Sequence, residues 1–372
     1  MTPLAPERAS PQVRDRLRRS RPALRLGPVA LRLRPRLIAV CLAVLAALAV
    51  LLALNLSLGR TPLSPAQVWA HVIGTDYEHY FTVWRVRMPR VVVGMLAGAA
   101  LAAAGAVTQT IMRNPLASPD LLGVTHGASA GVVAVLAFGG SYGILSGGGP
   151  LSSLGVPAVA LAGGLGAGVL CYTLARRGGV DGYRLLLVGV GVSTILMNLT
   201  LWLLTLGEVT DTGRAMVWVA GSLSMRTWEH AAPVALALAL LLPLALASSR
   251  TLDALAHDDD VVRGLGVDLE RARTALLVLA VLLAAFGTSA AGPVLFVSLA
   301  CPQIALRLAG PGTSRPPVLL SALVGAALVS GADLLARTAL DNIQLPVGVV
   351  TGCLGALYLI HLLVRANRRT RA

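Results

Sequence analysis

The sequence predicts an all-α, polytopic membrane protein of about ten helices, and three observations carry that expectation. Of the 372 residues, 56% are hydrophobic and 13% charged, with a mean hydropathy of +0.76. A soluble globule of this length needs far more polar surface. The apolar residues fall into runs of about twenty, the length that crosses a hydrocarbon core as a helix. The 31 basic residues, all arginine with no lysine, stand mostly between those runs or at their edges.

Ten candidate spans follow in order, at about 37–58, 91–112, 121–139, 156–175, 184–205, 231–248, 275–297, 298–309, 317–338 and 345–364. The first begins with the run from Leu37 to Leu54, longer than the apolar core of a signal peptide and preceded by a long basic tail, so it reads as a retained span. Gly94, Gly98 and Gly105, at intervals of four and seven, let helix backbones approach in lipid. With the turn of Arg113, Asn114, Pro115 and Pro119, and a new small-residue segment from Leu122 and Gly123, they predict two closely packed helices joined by a short, rigid hairpin. The uncharged, glycine-rich stretch from Gly139 to Gly155 reads as a connector before the fourth span. Polar stretches near 206–230 and 249–274 bound the sixth. Gly287 and the Gly292-Pro293 pair interrupt the seventh and eighth, which read as one span, two, or a span plus a half-helix. The ninth carries Asp333 with Arg337 at i+4, a spacing that suits a local ion pair.

Charge placement gives an orientation. Ten arginines, from Arg8 to Arg36, precede the first span, and with the N-terminus inside, ten spans place 24 of the 31 arginines on the cytoplasmic side. Both termini are then expected inside; merging spans seven and eight would move the last arginines out. The domain reading is a cytoplasmic tail at 1–36, a transmembrane domain at 37–365 with an inner loop at 249–274, and a second cytoplasmic tail at 366–372. The basic tail suits orientation and membrane lipid; no aromatic residues interleave it as nucleic-acid binding would require, so no nucleic-acid partner is expected.

Chemistry is narrowed by what the chain lacks. Cys41, Cys171, Cys301 and Cys353 have no metal or redox spacing and read as small buried hydrophobes. His126 and His361 lie singly in spans, so no metal, cofactor or catalytic constellation is expected. A nucleotide-binding loop of the Walker type needs lysine, and none is present. Apart from Asp333 the spans are nearly empty of the ionisable residues that relay protons in secondary transporters. A transporter with this composition would have to draw its energy from a partner.

Residues 87–131 carry the strongest motif, RMPRVVVGMLAGAALAAAGAVTQTIMRNPLASPDLLGVTHGASAG. The order of an Arg-x-Pro-Arg element, a small-residue helix and Arg-Asn-Pro-Leu-Ala-x-Pro-x-x-Leu-Gly resembles the FecCD family, permeases of ATP-driven importers for ferric siderophores, haem and cobalamin. Further matches are Gly292-Pro-Val-Leu-Phe296-Val-Ser-Leu299 and Leu345-Pro-Val-Gly348-Val-Val-Thr351, so the resemblance spans about residues 37–365. It implies a second permease chain, identical or homologous, on a cytoplasmic ATPase dimer, an extracytoplasmic binding protein, and a ferric siderophore as substrate. The setting implied is the cytoplasmic membrane of a prokaryote.

The same resemblance assigns roles. Arg87, Arg90 and Arg337 match the arginines that dock the binding protein. Asp259, Arg263, Gly264, Leu265 and Gly266 fall in the segment that couples to the ATPase, with Asp258 where the family has glycine and Val262 where it has alanine. Gly98, Gly105, Gln109, Asn114, Pro115 and Gln303 are expected in the pathway or the helix packing, the polar ones serving either cargo or backbone groups. Gln303, Gln344 and the outer Gly221-to-His230 pattern resemble the branch for ferric enterobactin and related catecholates. A cobalamin or haem importer is the alternative, and a stand-alone secondary transporter a more distant one.

Overall fold

The computed structural model describes residues 23–26, 29–32, 35–59, 62–64, 66–68, 80–139, 150–176, 182–207, 209–311, 313–340 and 344–370. Most of the two tails' detail and of the glycine-rich connector lies outside the described residues. A short antiparallel hairpin pairs Ala23–Leu26 with Val29–Arg32; among the described residues after it, the regular structure is helical.

Ten apolar helices correspond to the ten expected spans. They are α1 (Pro35–Ser57), α2 (Met88–Ile111, continuing a π-helical turn at Phe81–Arg87), α3 (Val124–Gly139), α4 (Pro150–Ala175), α5 (Gly182–Leu206), α7 (Trp228–Ala247), α10 (Leu269–Ala291), α11 (Val297–Ala309), α12 (Val318–Thr338) and α13 (Val347–Thr370). Between them lie three shorter helices, α6 (Val209–Val219), α8 (Ser249–Leu255) and α9 (Asp259–Gly264). Seven of the described helices are long and apolar enough to cross a membrane, and α3, α11 and α13 contribute shorter apolar stretches.

The helix α2 is the axis of the bundle. Pro89 sits in its first turn, where the missing N–H costs nothing, and it is buried on nearly every side. A helix apolar all round belongs inside. It packs most extensively on α12 and α10. A Cβ at Gly98 would run into the Gly325 carbonyl of α12, and one at Gly105 into the Ser298 carbonyl of α11, so these glycines set the closest backbone approaches.

This corrects the hairpin reading. α2 and α3 are not each other's packing partners: the chain is carried away by the turn at 112–118 and a 3-10 segment, Pro119–Leu122, and α3 packs on α4 and α5. There Gly127 meets Gly163 of α4, whose carbonyl a Cβ would strike. Glycine spacing identified close contacts but not which helix made them.

The ambiguous stretch after α10 resolves into a span and a half-helix. Gly292 (φ 74°) and Phe296 (φ 65°) both take left-handed backbone and end the helical run. α11 then has 13 residues, about 20 Å at 1.5 Å per residue, short of a hydrocarbon core of about 30 Å. Of the cysteines, Cys171 and Cys301 are buried as expected, while Cys353 is exposed. His126 is half-buried on α3; the side chain of His361 lies outside the described residues.

Candidate functional site

Two polar clusters stand at opposite ends of α2, one around Asp259 and one around Asp333. At the first, α2 ends on Arg113, held at φ 47°, and the Asn114 side chain accepts from the Leu116 N–H at 2.9 Å to fix the turn. Arg113 thereby reaches across to the segment between α7 and α10. Its Nη2 donates to Asp259 Oδ1 at 2.6 Å and its Nε to the Leu255 carbonyl at 2.8 Å. Arg273, in the first turns of α10, donates to both oxygens of the same carboxylate at 2.8 and 3.2 Å. One acid thus ties α9 to α2 and α10. Partial burial pushes the Asp259 carboxyl up, but the Arg113 hydrogen bond and the Arg273 charge outweigh it and hold the carboxyl below the ordinary value.

The local sequence of α9 explains its shape. Asp259 and Asp260 open it and Arg263 closes it, each sign favourable to the helix dipole. Gly266 (φ 76°) then stops it: the Val267 N–H bonds the Val262 carbonyl at 3.4 Å and the Gly266 N–H the Arg263 carbonyl at 3.0 Å, a Schellman ending. Val262 is fully buried, as are Leu252 and Leu255 of α8, and they anchor the segment to the bundle. Leu265 and Val261 face the other way, 64% and 51% exposed. Gly264 has open space around it, and Arg263 is paired with Asp260 at 3.3 Å on the surface. An apolar knob on a helix bolted to two long helices can transmit a push.

At the other end the three arginines expected at the surface are turned inward. Arg87 is 6% exposed and donates to the carbonyls of Leu56 and Ser57 at the end of α1. Arg90 grips Asp333 through Nε, at 3.1 Å to each oxygen, and through Nη2 at 2.8 Å, and its Nη1 donates to Gln344 Oε1 at 3.0 Å. Arg337 pairs with Asp333 at 3.4 Å and donates to the Asn55 side chain. The expected i,i+4 pair is present, yet the tighter partner of Asp333, itself 2% exposed, is Arg90. This network stitches α1, α2 and α12 together at their shared end.

Of the remaining expected site residues, Gly98, Gly105 and Gln109 are buried, while Asn114 and Gln303 are half-buried. Gln109 donates to the Leu299 carbonyl at 3.0 Å and accepts from Gln303 at 2.6 Å, so it ties α2 to the first turn of α11. Asn114 serves its own turn, and Pro115 lies exposed in it. Sequence reasoning passed over Asp120, in the Pro119–Leu122 segment. Its carboxylate accepts from Ser298 at 2.6 Å and from Thr125, joining the two breaks in the helical backbone. A carboxylate inside an otherwise apolar motif was the available signal.

The chain is 38% identical over 338 residues to the ferric enterobactin transport system permease protein FepG of Escherichia coli (strain K12), covering 90% of this chain and 98% of that one. It is 34% identical to the iron-uptake system permease protein FeuC of Bacillus subtilis (strain 168), covering 86% and 95%. In fold it is similar to a metal-chelate type ABC transporter solved in an inward-facing conformation, with a TM-score of 0.76, 24% identity, and coverage of 88% of this chain and 99% of that one. The FecCD transport family model matches residues 47–365, and the chain belongs to that family.

Proposed function

We propose that this chain is the membrane-spanning subunit of an ATP-driven importer and passes a ferric siderophore, of the catecholate class, across the cytoplasmic membrane. The observation that carries the reading is the Asp259 cluster. It offers an exposed Leu265 and Val261 on a helix fastened to both α2 and α10, as a docked ATPase needs. The relatives support the cargo, because those compared above are permeases of iron uptake and ferric enterobactin transport.

On this reading the Asp259 end faces the cytoplasm with both tails, an ATPase dimer sits against Leu265, and a second permease chain completes the pathway. A binding protein docks on the Asp333 end. Arg87, Arg90 and Arg337 hold the surface it meets, and only the edges of their guanidinium groups reach a partner's carboxylate. The test is reconstitution of the chain with its neighbouring ATPase, second permease and binding protein in liposomes. ATP-dependent accumulation of a ferric catecholate is expected; accumulation without ATP would overturn the proposal.

A further inference from the structure

A cavity of about 430 Å³ opens at the Asp333 end, between the first turns of α4 and α7 and the last turns of α10. Its lining combines polar and apolar side chains, Arg226, Glu229 and His230 with Leu161, Pro233 and Phe286. Arg226 is half-buried, with Nε and Nη2 both donating to the Ser222 carbonyl at 3.2 and 3.1 Å, which fixes the guanidinium at the wall. Among the described residues it forms no ion pair, and burial pushes its pKa down to about 10. A guanidinium fixed at a cavity wall, with a carbonyl as its hydrogen-bond partner and no ion pair, favours an anionic group from outside the chain. Glu229, by contrast, is exposed at the rim.

The apolar lining continues as a track. Leu236, Leu240 and Leu244 follow Pro233 at i+3, i+7 and i+11, which places all four on one face of α7, and the three leucines are exposed. Cavity and track together make a site with a cation, then an acid at the rim, then a length of apolar helix.

We propose that this cavity binds one zwitterionic phospholipid with a primary amine, its phosphate against Arg226, its ammonium donating to Glu229, and an acyl chain along Leu236, Leu240 and Leu244. The volume lies in the range of pockets that enclose small ligands. A choline headgroup has no N–H to give Glu229, and a glycerol headgroup brings no positive charge, so both fit less well.

The test is native mass spectrometry of the purified, delipidated permease complex titrated with phosphatidylethanolamine, phosphatidylcholine or phosphatidylglycerol. Wild type should retain one phosphatidylethanolamine per chain, with a preference of about tenfold over the other two. Arg226→Gln should lose that lipid, and Glu229→Gln should keep phospholipid binding while losing the preference. Leu161→Trp, which narrows the cavity and leaves Arg226 in place, should weaken binding of the lipid and guards against misfolding of the arginine variant. Wild-type occupancy in Arg226→Gln or Leu161→Trp, or equal retention of all three lipids by wild type, would overturn the proposal.

Discussion

Replacing Leu265 with Asp tests the coupling role of α9 with little risk to the fold. The side chain is 64% exposed, Gly264 and Gly266 beside it touch nothing, and the anchoring contacts of the segment belong to Val262, Leu252 and Leu255. The permease itself should therefore lose less than about 0.5 kcal/mol, as surface substitutions do. Binding of the ATPase is another matter. Fully burying a leucine contributes about 1.5–3 kcal/mol, and roughly two thirds of this one remains to be buried by a partner, which gives about 1–2 kcal/mol. A carboxylate in the same apolar contact adds a desolvation cost of at least about 1 kcal/mol. The sum, about 2–4 kcal/mol, is a loss of roughly 30- to 700-fold in affinity. Pull-down of the ATPase by the purified permease, titrated over three decades of concentration, reads this directly, and uptake should collapse in parallel. Wild-type affinity and uptake would show that α9 is a solvated connector and that the knob has no partner.

Arg90→Glu should cost the permease about 3–5 kcal/mol, because it leaves two acids together where Asp333 is 2% exposed; adding Asp333→Arg should recover part of it in thermal melts, and an unchanged melt would refute the network. Reporters fused after Ala372 and within the 249–274 loop should both report the cytoplasm, and an external signal from either would overturn the orientation. The Asp259 cluster should resist moderate acid. Its carboxyl is held below the ordinary value of 3.8, so its contribution is complete above that value and is lost only as pH falls through the lowered one. A spin label at Asp260→Cys on a cysteine-free background should stay immobile from pH 7 to pH 5 and loosen below about pH 4; loosening near neutrality would mean that another group holds the helix.

The ten helices were legible because each is a composition signal, complete within its own twenty residues. The stop at Gly266 is equally local, a glycine at φ 76° that ends α9. Pairings across the bundle were not: Arg113 and Asp259 lie 146 positions apart, and Arg90 and Asp333 lie 243 apart. Nothing local says that those side chains meet. The inward turn of Arg87, Arg90 and Arg337 was hidden for a related reason. An arginine at a helix end has a stem long enough to reach either solvent or a neighbouring carbonyl, and only the placement of α1 and α12 decides. Gln109 was read as serving either cargo or backbone, and its partner, the Leu299 carbonyl, lies 190 positions away.

Asp120 has a consequence for how such chains vary. One carboxylate serves hydroxyls from Thr125, five positions on, and Ser298, 178 positions on. Replacing Ser298 by an apolar residue strands half of the acid's hydrogen bonding in the interior, and replacing Asp120 strands two hydroxyls. Positions 120, 125 and 298 are therefore expected to vary together. Across chains of this fold, an apolar residue at the first should arrive with apolar residues at the other two, and a lone change at any of them should be rare or compensated nearby.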